Sequence, residues 1–81
     1  MEKYITRLLK TDQLIRRKAT GSPKELAEKL DISESTVYRV IKILKENMKL
    51  SVEFNKEHNS YVYSREDERL NFETLSLATH E

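Results

Sequence analysis

Two helix-start signals stand close together in this chain, at Ser22 and at Ser33, and they leave little freedom for what lies between them. Ser22-Pro23-Lys24-Glu25 supplies an N-cap hydroxyl, a proline preorganised for the first helical position, and the glutamate that completes a capping box. Leu26, Ala27 and Leu30 give the following helix one apolar side, over about residues 23–30. Asp31 suits a turn residue in the left-handed region, which Asp tolerates better than most residues. After Ile32 the chain restarts as a helix at Ser33. Two helices separated by so few residues must cross steeply, and Ala27 is small where they would approach most closely.

The helix that starts at Ser33 has two distinct faces over about residues 34–47. Glu34 sits where the helix dipole favours negative charge, and Asn47 suits the C-cap. Val37, Val40, Ile41 and Leu44 form one apolar stripe. Ser35, Tyr38, Arg39 and Lys42 share the opposite face, which is polar and basic near the helix start. A core helix needs no such face, whereas a helix lying in the major groove of DNA does. An ordinary amphipathic helix with a solvated outer face would carry the same stripe, so the neighbouring elements have to decide.

Composition narrows the alternatives. A chain of 81 residues with a single Gly and a single Pro has little room for a loop-rich or all-β fold. It has no cysteine, hence no disulfide or thiolate ligand, which suits a reducing cytoplasm. No apolar run approaches membrane-spanning length and no signal-peptide pattern opens the chain. The net charge is only +1, but it is unevenly spread. Residues 1–64 hold 13 Lys and Arg against 9 Asp and Glu; residues 65–81 hold 2 against 5. The expected division is a basic domain over 1–64 and an acidic tail over 65–81.

The remaining elements follow from spacing. Residues 3–18 read as a first helix, with Ile5, Leu8, Leu9 and Ile15 on one face, Leu14 at its edge and Asp12 interrupting the stripe. Tyr4, Ile5, Leu8 and Leu9 are most simply core. Arg16-Arg17-Lys18 suits a helix C-terminus and could also touch phosphate. Ala19-Thr20-Gly21 breaks the pattern, with room for a short β bridge. Leu50, Val52 and Phe54 alternate with Ser51, Glu53 and Asn55, and Tyr61-Val62-Tyr63 resumes after a polar turn of about five residues, a hairpin in which Phe54 could face Tyr61 or Tyr63. Leu70 and Phe72 could add a strand over 69–73, with a frayed end beyond.

Helix, helix, turn, helix, hairpin is the order of a winged helix-turn-helix, an α+β fold that is mainly α: a three-helix bundle with a β-hairpin wing. The residues of 22–39 resemble the small bacterial winged-helix regulators, of the DeoR-like and BirA-like N-terminal types and the type that precedes WYL modules. The resemblance rests on Leu26-Ala27, Leu30, Asp31, Ile32, Ser33 and Thr36-Val37-Tyr38-Arg39, and extends over residues 4–64. It departs from that pattern at Asp31, where Gly is usual, and at Glu34, where Arg or Lys is common.

The resemblance implies a cytoplasmic, non-enzymatic transcriptional regulator that reads double-stranded DNA through the third helix and a wing over about 50–64. Ser35, Tyr38, Arg39 and Lys42 are the groove-facing candidates; Arg39 suits either guanine or phosphate. Thr36 and Ser33 could bond phosphate, although capping is the plainer task for Ser33. Glu34 could accept from a cytosine amino group or weaken binding. The N–H groups near Ser22 and Lys24 form a natural phosphate seat, and Lys56 and His58 stand at the wing tip. Tyr61 and Tyr63 are expected to pack under the wing. No cofactor, metal site or small-molecule ligand is indicated: the two histidines have no helical partner, and no Gly-rich phosphate loop or nucleophile–base pair is present. A homodimer or partner regulator is expected, since one recognition helix reads few bases. The competing reading is a winged-helix protein–protein module, favoured by Glu34, the near-neutral net charge and the acidic tail.

Overall fold

A computed structural model describes residues 2–65 of the chain. Three helices are followed by a two-stranded antiparallel hairpin: α1 (Glu2–Arg16), α2 (Pro23–Leu30), α3 (Glu34–Glu46), β1 (Val52–Asn55) and β2 (Ser60–Tyr63). This is the α+β winged-helix arrangement expected from the element order. The tail beyond Arg65, with its expected strand at 69–73, lies outside the described residues.

The capping chemistry works as the sequence indicates. The Ser22 hydroxyl accepts from the Glu25 N–H, and the Glu25 carboxylate accepts from the Ser22 N–H. Ser33 caps α3 by accepting from the Thr36 N–H at 3.2 Å. Asp31 takes the left-handed conformation with φ 57°. Its N–H reaches the Glu28 carbonyl while the Ile32 N–H reaches the Ala27 carbonyl, the paired bonds of a Schellman stop.

α1 ends by the same device, two residues sooner than the charge run suggests. Lys18 is left-handed at φ 56°, with the Lys18 N–H on the Ile15 carbonyl and the Ala19 N–H on the Leu14 carbonyl. Asn47 caps α3 in a right-handed conformation, and the left-handed residue comes later, at Lys49. The single glycine is held for Gly21, at φ 75°, where a Cβ would lie 2.8 Å from the Glu25 Cβ. Ordinary residues therefore take the other left-handed positions, at a cost of roughly 1–2 kcal/mol each.

The core gathers Leu8 and Ile15 of α1, Leu26 and Ala27 of α2, and the full stripe Val37, Val40, Ile41 and Leu44 of α3, with Met48, Val52 and Tyr61 closing it. Each buried aliphatic side chain contributes about 1.5–3 kcal/mol. Two expectations for α1 need correction. Leu9 is 42% exposed and is not core, because the buried face runs through Leu8, Thr11, Asp12 and Ile15. Asp12 does not break that face: it is only 2% exposed, accepts from the Tyr63 hydroxyl at 2.6 Å, and pairs with Arg16 at 3.0 Å. A buried carboxylate is stable only with such partners.

The hairpin pairs Val52 with Tyr63 and Phe54 with Tyr61, joined by a four-residue turn at 56–59. Phe54 meets Tyr61 edge to face, with ring centres 5.2 Å apart. The alternation in β1 expected Phe54 inside; it is 38% exposed and covers Tyr61 from the rim of the core. Leu50 precedes the strand, its N–H on the Leu44 carbonyl. Tyr61 is buried and Tyr63 half-buried, as expected of residues beneath the wing.

No strand forms at residues 19–21; hydroxyl bonds tie that loop to β2 instead. The Thr20 N–H donates to the Ser60 hydroxyl at 3.0 Å, and the Tyr61 N–H donates to the Thr20 hydroxyl at 2.8 Å. Both Thr20 and Ser60 are fully buried. A two-stranded hairpin is marginal alone, so these ties matter to where the wing sits. Thr20→Val keeps the shape but strands the Tyr61 N–H without an acceptor. Urea unfolding should show a loss of about 1–3 kcal/mol, with the denaturant slope unchanged.

Candidate nucleic-acid interface

The interface is built outward from α3. With Val37, Val40, Ile41 and Leu44 buried, the helical repeat turns Ser35, Tyr38, Arg39 and Lys42 away from the core, and all four are exposed. Tyr38 is the most exposed of the large apolar side chains among the described residues. Glu34 is exposed at the first helical position, and Thr36 is half-buried.

Ser33, Ser35 and Thr36 form a small hydroxyl cluster at the start of α3. The Ser33 oxygen lies 3.0 Å from that of Ser35 and 2.9 Å from that of Thr36. Capping occupies Ser33, in keeping with the plainer reading of that residue.

The start of α2 is a narrower anion seat than the sequence suggests. The capping box already engages the Ser22 and Glu25 N–H groups, and Pro23 has none. That leaves the Lys24 N–H, with the exposed Lys24 side chain beside it. The Glu25 carboxylate also accepts from the Asn59 side-chain amide at 3.0 Å, which ties the wing tip to the start of α2. These bonds, the Ser22 backbone N–H first and the Asn59 amide second, hold the Glu25 pKa below the ordinary carboxylate value.

At the wing tip, Lys56 and His58 are both exposed. The His58 N–H donates to the Asn55 side-chain oxygen at 3.0 Å, and the His58 ring Nδ1 lies 3.1 Å from the same oxygen. An amide oxygen only accepts, so Nδ1 carries the proton in that contact.

Burial pushes the Tyr61 phenol pKa up, and nearby Tyr38 adds to the shift. The Arg16 guanidinium is engaged by Asp12, and Arg16, Lys18, His58 and Arg65 border a cleft of about 500 Å³ lined by the end of α1 and the hairpin.

The helix pair, the turn between them and the hairpin are those of a winged helix, and a family model described as HTH domain matches residues 5–62. The chain belongs to this helix-turn-helix family. As an HTH domain it is a DNA-binding unit, with α2 and α3 as the two helices of the motif. No curated protein and no solved structure matches the chain significantly. Among the described residues no helix is long and apolar enough to cross a membrane.

Sequence reading missed the ties that orient the HTH domain's wing: Thr20 to Ser60, Glu25 to Asn59, and Asp12 to Tyr63. Only Asn59 left a signal, as a residue suited to a left-handed turn position; its φ is 50°.

Glu25 makes one of these ties sensitive to pH. Its folded pKa lies below the unfolded one, so its contribution is complete above the ordinary glutamate value of about 4.3 and fades as pH falls through the lower folded value. Melting temperature followed from neutral pH into this acid range should fall less steeply for Glu25→Gln than for the parent chain. Asn59→Ala should move the Glu25 pKa upward, as read by NMR titration.

Proposed function

We propose that this HTH domain is a sequence-specific regulator of transcription that acts in the cytoplasm and has no enzymatic activity of its own. The observation that carries the reading is the exposed face of α3, where Ser35, Tyr38, Arg39 and Lys42 stand opposite a fully buried stripe. In this reading α3 enters the major groove and Arg39 donates to a guanine edge or a phosphate. Lys42 and Thr36 contact the backbone, Ser33 holds the helix start, and Ser35 meets the groove wall. Lys24 with the Ser22 turn seats a flanking phosphate, while Lys56 and His58 meet the DNA from the wing tip.

Glu34 gives the second reading its support. An exposed carboxylate at the front of α3 either accepts from a cytosine amino group or favours a protein partner over DNA. Retention on heparin or DNA-cellulose at low salt separates the two. A domain that passes through unretained while a protein co-purifies with it belongs to the protein-docking class.

Binding to a duplex obtained by in-vitro selection should weaken as Arg39→Ala and Lys42→Ala are introduced. The plot of log K against log salt should have a slope of roughly −3 to −6 for a few phosphate contacts. Gel-shift affinities unchanged by both substitutions would remove α3 from the interface.

Two copies are proposed to act together, because one recognition helix reads few bases. Selected DNA should then carry two inverted half-sites, and light scattering should detect a dimer on the duplex. A monomer that retains tight binding would refute the pairing.

A further inference from the structure

We propose that Tyr38 reads the 5-methyl group of a thymine in the major groove, which makes it a specificity-determining residue of this HTH domain. The proposal rests on the DNA-reading role given above to α3. Tyr38 lies on the same helical face as Ser35, Arg39 and Lys42, and is 56% exposed. Leaving a large ring in water on a polar helix face gains nothing for the fold, since the core is closed by Val37, Val40, Ile41 and Leu44 on the other side.

The wing carries aromatic rings of its own, where Phe54 packs edge to face against Tyr61 across the hairpin. A tyrosine has few rotamers to lose, so its ring presents apolar surface at low entropic cost.

The groove offers such a ring one good partner. Base edges in the major groove present hydrogen-bond donors and acceptors, except for the thymine methyl, which is apolar. A ring pressed against the polar edges would strip their water without replacing its hydrogen bonds, which is costly. Against a methyl group it removes apolar surface from water on both sides. Arg39 and Lys42 end in charged donors, whereas Tyr38 carries the one large exposed apolar side chain of this face, so the methyl falls to Tyr38.

Replacing thymine by uracil deletes that methyl and nothing else, which gives a direct test. The full chain is titrated against a selected duplex in which each thymine is exchanged singly for uracil. At one thymine per bound copy, affinity should fall about threefold to fivefold, the effect expected for one buried methyl. Tyr38→Ala should bind the thymine and uracil duplexes equally at that position, and Tyr38→Phe should preserve the difference. Tyr38 is exposed, so an unchanged unfolding midpoint should accompany both variants. If no exchange shows an effect that depends on Tyr38, while Arg39→Ala still weakens binding, the methyl contact is wrong and the groove-reading role stands. If Tyr38→Phe loses the discrimination, the hydroxyl reads the base and the proposal falls. If the chain shows no salt-dependent affinity for any duplex, the reading beneath it fails as well.

Discussion

Burial of one stripe of α3 is the constraint on which the rest of the molecule depends. Val37, Val40, Ile41 and Leu44 recur at the spacing that puts them on one side of a helix, and all four are sealed into the core with Leu8, Ile15 and Leu26. Rotating α3 by even one residue's arc would carry some of these aliphatic groups into water, at about 1.5–3 kcal/mol for each side chain. The rotation of the helix about its axis is therefore fixed, and with it the outward direction of Ser35, Tyr38, Arg39 and Lys42. The rigidity of the outer face is inherited from the inner one.

The short α2–α3 connection adds a second constraint of the same kind. Asp31 in the left-handed region closes α2, and Ser33 opens α3 almost at once. With so little chain between them, the angle of the pair is set by the turn and by packing around Leu26 and Ala27. The wing is placed differently, by polar ties from separate parts of the chain. Thr20 holds Ser60 and Tyr61, Asp12 holds Tyr63, and Glu25 holds Asn59. A hairpin with a limited apolar footing gains its position from such bonds, of which those of Thr20 are buried away from competing water. The wing is in this sense an outgrowth of the loop before α2 as much as of α3.

The helices were legible because their determinants are local. A capping box, a proline at the first position and an apolar stripe all lie within one or two turns of the residues they govern. The hairpin was legible as an alternation of β-formers, and the Phe54–Tyr61 pairing was one of its two expected registers. The failures share one cause. Asp12 read as an interruption because its partner Tyr63 is 51 residues away. Leu9 read as core because the stripe rule assigns faces by hydrophobicity, whereas Thr11 and Asp12 fill the buried face through hydrogen bonds. The end of α1 was misplaced because Lys18 takes a position usually given to glycine. The phosphate seat at Ser22 looked roomier because the sequence does not reveal that Glu25 occupies the same N–H groups and also reaches the wing.

By itself the sequence determined where the helices begin, which side of each is apolar, and that α2 and α3 form a tight pair, because these depend on neighbours three or four residues apart. It also set the composition of the outward face of α3. The tertiary structure alone decided which polar groups are buried, how the wing is pinned, and which of the two tyrosines faces Phe54 across the hairpin. Those relations join residues far apart along the chain, and only closure of the core brings them within bonding distance.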